Sequence, residues 1–146
     1  MWKSTLKSRA NSAGFTLVEL MVTLGILAIV AAVAYPAYQG YAITGKRPVA
    51  KVALSQIAMA QEKYFSNNNT YANPISLLPG FGTSDPFVTE GGYYSISVAA
   101  GTTLTIATSF KLTATPQGGQ TGDSCTELTL DSTGAKGGSP SKDACW

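Results

Sequence analysis

The sequence contains no histidine, only two cysteines, and few charged side chains, which make up 12% of its 146 residues. Without histidine, Ser-His-Asp and Cys-His nucleophiles and histidine-ligated zinc or iron sites are excluded. Two cysteines are too few for an all-cysteine zinc or iron–sulfur site within the chain. The charged fraction is about half of the ~25% typical of soluble proteins, and 45% hydrophobic residues exclude a disordered chain. The length suits one domain with an appendage.

The net charge of +2 is concentrated at one end of the chain. Lys3, Lys7 and Arg9 lie within the first nine residues, and from Ala10 to Gly45 the only charged side chain is Glu19. Without the first 14 residues, seven basic and eight acidic side chains remain, a formal charge of −1. A basic start followed by an apolar stretch is typical of a leader that is removed from the mature protein.

A long uncharged segment follows this basic start. Residues 20–35 carry no charge, and the wider segment 15–38 has 24 residues, which span roughly 36 Å as a helix. That length crosses a hydrocarbon core of about 30 Å. Because the basic residues precede the segment, the positive-inside rule predicts a cytoplasmic N-terminus.

Two processing sites are compatible with such a start. An ordinary secretory signal would be cut before Tyr35, after the small-x-small run Ala32-Val33-Ala34. A cut between Gly14 and Phe15 would instead retain the apolar segment in the mature protein. The run GFTLVEL at residues 14–20 precedes an uncharged helix with a proline at its far end. This arrangement resembles the N-terminus of type IV pilins and favours the second site.

The resemblance implies roles for four residues. Prepilin peptidase would cut after Gly14, and Phe15 would become the N-methylated first residue. Glu19 would attract the N-terminal amine of a neighbouring subunit, since a carboxylate in apolar surroundings is rarely left without a partner. Pro36 would bend the helix. The residues themselves leave an alternative open for Glu19, because Thr16 and Glu19 also fit a capping box at the start of a helix.

Beyond the apolar segment, the pattern predicts an amphipathic helix over residues 39–66. Its apolar positions recur at spacings of three and four, as in a helix that lays one face on a globular domain: Val49, Val52, Ala53, Ile57, Ala60 and Tyr64. Between Gly45 and Pro48 the helix is interrupted, so that Pro48 either kinks it or stands in the first turn of a second helix. The polar run at residues 66–74 ends it.

The remaining residues, 67–146, are predicted to form a globular β-sheet domain. Apolar and polar residues alternate in four segments, residues 94–98, 103–106, 110–114 and 127–130. Turns are expected between them, at residues 99–101, 115–124 and 132–134. The strands predict an antiparallel sheet of three or four strands, covered on one face by the helix. The predicted fold class is α+β, with a long N-terminal helix whose first half spans the membrane.

Cys125 and Cys145 close a loop of 21 residues. Outside the cytoplasm such a pair is oxidised, and the glycine-rich segment 134–143 needs a cross-link to keep its shape. The two cysteines form no C-x-x-C pair, so a structural disulfide is predicted rather than redox chemistry. The tail resembles that of minor pilins of the PilE kind in Ala-Thr-Pro at 114–116, Gln120, Asp123, Cys125, Leu128, Leu130, Gly134, Lys136 and the final Cys145-Trp146. Major pilins also carry a C-terminal disulfide loop, so a major pilin stays open.

The sequence predicts no enzyme, no cofactor and no metal site. No carboxylate pair has a recognisable spacing, and no nucleophile has a candidate base. The glycine-containing run 117–124 lacks the lysine of a phosphate loop. Four carboxylates match no calcium loop and are expected to be solvated: Asp123, Glu127, Asp131 and Asp143.

Basic residues in the second half of the helix raise the question of a DNA partner. Lys46, Arg47 and Lys51 form a small group that could contact phosphates, although a solvated helix face is the expected role. DNA is therefore a possible partner that the sequence does not indicate.

The resemblance implies a minor pilin, a subunit stored in the inner membrane with a periplasmic C-terminal domain and then assembled into the cell-surface pilus or its tip. The expected segments are a leader (1–14), a polymerisation helix (15–38), an amphipathic helix (39–66) and a globular domain (67–146). Other pilins, prepilin peptidase and the pilus assembly platform would be its partners. Twitching, adhesion and DNA uptake stay open as pilus functions. A major pilin, a pseudopilin of a type II secretion system and a membrane-anchored periplasmic binding module are the alternatives.

Overall fold

The computed structural model of the protein describes residues 14–101 and 105–146. Residues 1–13 of the expected leader, and Thr103 and Leu104 of one predicted strand, lie outside the described residues. The chain forms two compact units, of which the first ends at Tyr38 and the second comprises Gln39–Trp146.

The first unit contains the apolar part of a helix. This helix, α1, Leu17–Thr44, begins after Thr16, whose hydroxyl accepts a hydrogen bond from the Glu19 N–H at 3.2 Å and caps the first turn. No residue of α1 is buried, and its apolar part has a mean hydropathy of 2.5, so the helix is long and apolar enough to cross a membrane. Pro36 lies inside α1, and the bend that we expect there stays a prediction.

The helical segment is interrupted at Gly45 and Lys46. The Lys46 N–H bonds to the carbonyl of Ile43, three residues back, at 3.1 Å, which tightens the last turn. The next helix, α2, Arg47–Asn68, has Pro48 in its first turn, where the missing N–H costs no helical hydrogen bond. Of the two alternatives expected here, the chain therefore takes the restart.

α2 lays one face on the sheet, and this face largely coincides with the predicted one, since Ala60 and Tyr64 also pack against the core. The buried residues of the helix are Ala50, Ala53, Leu54, Ile57 and Gln61. The predicted stripe shares Ala53 and Ile57 with this set, but Val52 is wrong, because it is 55% exposed. Positions 50, 54, 57 and 61 follow the helical repeat over three turns and therefore lie on one face. Leu54, whose side chain is larger than that of Ala50 or Ala53, occupies the centre of this face.

Five antiparallel strands form one sheet in which each strand pairs with its neighbours in the chain. Strands β1 to β5 are Phe87–Val88, Tyr94–Ala100, Phe110–Pro116, Glu127–Asp131 and Lys136–Ser139. Leu112 of β3 lies between Val98 of β2 and Leu130 of β4, and this row faces the core beneath α2. The α+β prediction is confirmed, with five strands where three or four were expected.

The described part of the strand predicted at residues 103–106 is not a strand. Residues 103–106 have a strand pattern, but Ile106 lies in a turn that is closed by hydrogen bonds to the Thr105 carbonyl. The reason is the register of the hairpin, in which Ala100 pairs with Phe110, so the residues between them connect β2 and β3. The Ile106 side chain still packs on the core, and the alternation therefore marks burial rather than a strand.

The strand ends also differ from the prediction. β2 and β3 continue through residues 99–100 and 115–116, which the pattern assigns to turns. β1 has only two residues and β5 has the sequence Lys-Gly-Gly-Ser, so neither carries an alternating apolar pattern. A short helix, α3, Lys142–Cys145, follows β5.

Cys125 and Cys145 form a disulfide, as predicted, with their Cα atoms 5.7 Å apart. Both residues are buried, and the bond joins the loop before β4 to α3. Gly138 of β5 makes room for it, because a Cβ at this position would lie 2.8 Å from the Cys145 Cβ.

Candidate functional site

The residues that resemble the start of a mature pilin lie at the beginning of α1. Gly14 is exposed, Phe15 is 79% exposed, and no side chain from 14 to 38 is covered by the described chain. The Glu19 N–H bonds to the Thr16 hydroxyl, which is one half of a capping box. Among the described residues, the Glu19 carboxylate makes no hydrogen bond or ion pair. Capping therefore uses the backbone of Glu19 and not its charge.

A buried ion pair joins the start of α2 to the loop before β4. The Arg47 Nε donates to both Asp123 oxygens, at 2.9 and 3.1 Å, and the Asp123 side chain is fully buried. The guanidinium also donates to the Ser124 hydroxyl at 3.0 Å and to the Ala144 carbonyl at 2.9 Å. Since Ser124 and Ala144 each precede a cysteine, Arg47 holds both sides of the disulfide against α2.

Two uncharged side chains extend this polar cluster. Gln120 donates to the Ile43 carbonyl at 2.6 Å and to the Tyr94 hydroxyl at 3.0 Å. Burial alone would raise the pKa of the Asp123 carboxyl, but the hydrogen bonds that it accepts, first of all from Arg47, outweigh burial and hold the pKa below its ordinary value. The carboxylate therefore stays ionised at neutral pH, and the cluster has a structural role.

A groove between α2 and the end of the chain brings two lysines to one tryptophan. The Lys136 Nζ lies 4.8 Å from the centre of the Trp146 ring, and the Lys51 Nζ lies 5.9 Å from it. The indole N–H donates to the Gly137 carbonyl at 2.6 Å, which fixes the ring. We call this feature the basic groove. It has a volume of about 490 Å³ and is lined by Lys51, Val52, Ser55, Gln56, Met59, Lys136 and Trp146.

The basic group predicted on the helix is divided between three environments. Arg47 is 13% exposed and bound to Asp123, so the solvated face predicted for it is wrong. The Lys46 Nζ lies 4.1 Å from the centre of the Tyr93 ring. Of the three, only Lys51 reaches the basic groove, where the second cation comes from a lysine 85 residues further along the chain.

Comparison with known families adds a decisive match over the end of α1, all of α2 and the first strands of the sheet. The family model described as "Type IV minor pilin ComP, DNA uptake sequence receptor" matches residues 36–129, which is more than half of the chain. The chain belongs to the type IV minor pilin family. A second model, the prokaryotic N-terminal methylation motif, matches residues 9–35 of the pilin.

Known pilins are similar to parts of this chain. The type IV major pilin protein PilA of Myxococcus xanthus (strain DK1622) is 35% identical over 99 residues, which are 64% of this chain and 42% of that protein. The prepilin peptidase-dependent protein D of Escherichia coli (strain K12) is 64% identical over 28 residues, 19% of each protein. The chain therefore spans less than half the length of these curated relatives.

A solved structure is similar over a larger share of the pilin. A type IV pilin from Shewanella oneidensis is 30% identical, with a TM-score of 0.50, and the likeness covers 71% of this chain and 97% of that chain. The helical segment, the antiparallel sheet and the C-terminal disulfide are therefore the type IV pilin fold.

Membership of the family decides between the functional alternatives. The minor pilin expected from the tail is confirmed, and a major pilin or a pseudopilin is not favoured. Pilins are structural subunits, so the chain belongs to a structural rather than an enzymatic family. Within residues 14–101 and 105–146, no three acidic or cysteine side chains converge as a metal site requires. Asp123, expected to be solvated, is buried instead.

Sequence analysis counts Asp123, Lys136 and Trp146 toward the resemblance of the tail but gives none of them a binding role. Asp123 and Trp146 could have been expected near a site from their positions in the chain, since each lies within two residues of a cysteine that the disulfide fixes. Lys136 has no such signal, because only the pairing of β5 with β4 brings it to the basic groove.

Proposed function

We propose that the mature pilin begins at Phe15, is held in the inner membrane by α1 with its globular unit in the periplasm, and is then assembled into a type IV pilus. The observation that carries this proposal is the uncovered apolar helix, in which every residue from Leu17 to Tyr38 is exposed. An apolar helix of that length is stable in a bilayer or against other subunits. The methylation motif at residues 9–35 supports the cut between Gly14 and Phe15.

In the fibre, Glu19 pairs with the N-terminal amine of a neighbouring subunit. A carboxylate within a membrane-spanning helix costs about 2.5–3.5 kcal/mol near the helix centre, so a partner of opposite charge is favoured. The amine that cleavage creates at Phe15 supplies this charge. Other pilins are therefore the assembly partners, and prepilin peptidase and the assembly platform act before them.

DNA is the second partner that we propose, in keeping with the description of the family. The two lysine ammonium groups lie over the Trp146 ring, so the ring positions cations instead of offering an open face to a base. Cations held in this way suit the phosphates of a DNA backbone. Contact through the basic groove would therefore supply affinity and orientation rather than base recognition.

Intact mass and N-terminal sequencing of protein from sheared surface fibres test processing and assembly together. We expect a start at methylated Phe15 and a mass lower by two hydrogens, which reports the disulfide. A start at Tyr35, or absence from the fibres, would overturn the proposal.

DNA contact is tested with a labelled duplex and the mature protein in detergent micelles, by fluorescence anisotropy at several salt concentrations. Lys51→Gln and Lys136→Gln should each weaken binding several-fold and reduce the slope of log K against log salt by about 0.9. Lys63→Gln is the matched control, because Lys63 is an exposed lysine of α2 outside the basic groove. Equal losses in Lys51→Gln and Lys63→Gln would contradict a special role for the groove.

A further inference from the structure

The interruption between α1 and α2 is contacted by residues that are distant from it in the chain. We call Gly45 and Lys46, which separate the two helices, the helix break. Pro48 favours an interruption here, because in a continuous helix its ring would clash with the carbonyl of Thr44, four residues back. The proline disfavours a continuous helix, but it does not fix the direction of the residues on either side of the break. Other contacts have to fix it.

The helix break has few local contacts that could stabilise one conformation. Lys46 is the N-cap of α2, and within the described part of the chain its side chain makes no capping hydrogen bond. Serine, threonine, asparagine and aspartate are the residues that cap a helix well. Gly45 has no side chain, and the last turn of α1 has no basic side chain that could bond to its free carbonyls. With local contacts alone, the helix break would therefore act as a hinge.

Gln120 binds the end of α1, on one side of the helix break. Its side-chain N–H donates to the Ile43 carbonyl at 2.6 Å. Ile43 is one of the last four residues of α1, whose carbonyls lack the usual partner within the helix. Gln120 is 1% exposed, so this hydrogen bond is shielded from water. Gln120 therefore caps α1 although it lies 77 residues further along the chain.

Asp123 binds the start of α2, on the other side of the helix break. Arg47, the first residue of α2, donates to both Asp123 oxygens. Gln120 also donates to the Asp123 Oδ2 at 3.2 Å, and the Cys125 N–H donates to Oδ1 at 3.0 Å. We call Gln120 and Asp123 the clamp. They bond to each other and connect Ile43 and Arg47, on the two sides of the helix break, to one short loop.

The hydrogen bonds of Gln120 show that the clamp depends on its donors. Its nitrogen lies within hydrogen-bond distance of three acceptors, the Ile43 carbonyl, the Tyr94 hydroxyl and the Asp123 carboxylate. Its oxygen is buried and has no partner among the residues that the structure describes. A buried acceptor without a partner costs free energy, so packing alone would favour an apolar side chain of the same size. The donated hydrogen bonds are therefore the contribution that only the amide makes.

We propose that the helix break is a hinge and that the clamp holds it in one conformation, so that residues 39–44 of α1 keep a fixed direction relative to α2. These residues and α2 belong to the same compact unit. A fixed end of α1 reduces the conformational entropy that a subunit loses when its helix packs against other subunits. This consequence rests on the proposed assembly into a pilus, whereas the clamp itself does not.

Amide hydrogen exchange of the mature pilin in detergent micelles, resolved by residue with NMR, tests the clamp. In Gln120→Met the Lys46 amide should exchange about fivefold faster, because opening of the helix break no longer disrupts the bond to Ile43. Amides in the middle of α2 should keep their rates. Gln117→Met is the matched control, since Gln117 is an exposed residue of the same loop. Equal Lys46 rates in the two variants, or an equal increase throughout α2, would overturn the inference.

Gln120→Asn is a second test that keeps an amide in the cluster. Its side chain is shorter by one methylene and should not reach the Ile43 carbonyl, so Lys46 should again exchange faster. Wild-type rates in this variant would count against the clamp.

The amount of each variant in sheared fibres tests the consequence for assembly. At equal levels in the membrane, fibres should contain less Gln120→Met than Gln117→Met, by about twofold or more. Equal amounts would refute a role of the clamp in assembly. Absence of the wild type from fibres would instead refute the proposed assembly, and the exchange rates would still decide whether the clamp exists.

Discussion

At the scale of single residues, Arg47 has the largest structural role in the polar cluster. Its guanidinium bonds to Asp123, to Ser124 and to Ala144, and so reaches both sides of the disulfide from the first turn of α2. Because the Asp123 carboxylate is buried, the stability of its charge depends above all on this cation. The pair therefore fixes where the C-terminal residues lie on α2.

Arg47→Met should lower the free energy of unfolding by about 3 kcal/mol, since it leaves a buried carboxylate without its cation. Lys46→Met is the matched control and should cost less than about 1 kcal/mol, because Lys46 makes only a cation–π contact. Urea unfolding can be followed by fluorescence, since Trp146 is the one tryptophan left once the leader is removed. Equal losses in the two variants would contradict the role of the pair.

The Arg47–Asp123 pair makes the free energy of unfolding depend on pH, and this dependence has opposite signs in the wild type and in Arg47→Met. The pKa of Asp123 is lowered in the folded state, so its stabilisation is complete above the unfolded value of about 3.9 and is lost as the pH falls through the folded value. In Arg47→Met, burial raises the pKa of Asp123, so protonation on acidification relieves the unpaired charge. Melting curves between about pH 3 and 7 should therefore show a smaller stability gap between the two proteins at low pH. A constant gap would argue against the assignment.

At the scale of elements, the disulfide compensates for a weak edge of the sheet. β5 has two glycines in its four residues and contributes little apolar surface, and α3 is a single turn. The bond from Cys125 to Cys145 holds both against β4, and Cys145 positions Trp146 in the basic groove. The geometry of the groove is therefore a consequence of the cross-link.

Replacing both cysteines by alanine should lower the free energy of unfolding by about 3 kcal/mol, as expected for closing a loop of this length. Hydrogen exchange should increase mainly in β5 and α3, while α2 and β3 stay protected. The control is the oxidised wild type at the same protein concentration. Unchanged exchange in β5 would show that packing alone holds this edge.

Local sequence patterns predict the elements whose formation does not depend on pairing with distant residues. Composition alone identifies α1, and the proline rule allows the restart at Pro48. β1 and β5 are not predictable, because their positions depend on pairing with β2 and β4 and on the disulfide. The pattern at Ile106 misleads for the opposite reason, since burial of a loop residue imitates a strand.

The candidate sites differ in the same way, because one consists of contiguous residues and the other of residues that are distant in the chain. The segment around Phe15 and Glu19 is contiguous, so its roles can be predicted from the sequence, and they stay predictions. The basic groove needs Lys51, Lys136 and Trp146 to meet through the packing of α2 and β5, and no spacing in the chain encodes that meeting. Arg47 illustrates the difference, because its buried partner lies 76 residues away.

At the scale of the whole molecule, the two units are adapted to different surroundings. Between Phe15 and Tyr38 the only charged side chain is Glu19, whereas all other charged side chains from residue 15 onwards lie in the second unit. The second unit folds around its own core, and none of residues 14–38, the described part of the first, is buried. The first unit is therefore completed by a bilayer or by other subunits, and its one carboxylate is the group most sensitive to the change between them.

Glu19→Val should leave membrane insertion and leader cleavage intact but reduce the amount of pilin in sheared fibres about tenfold or more, because the neighbouring N-terminal amine loses its partner. Thr23→Val is the matched control. It places the same side chain one turn further along α1, and the Thr23 hydroxyl bonds only to carbonyls of its own helix. Mass spectrometry of the membrane fraction checks that both variants are cleaved, and quantification of the fibre fraction gives the result. Fibres that contain Glu19→Val at the level of Thr23→Val would contradict pairing between subunits as the role of the Glu19 carboxylate.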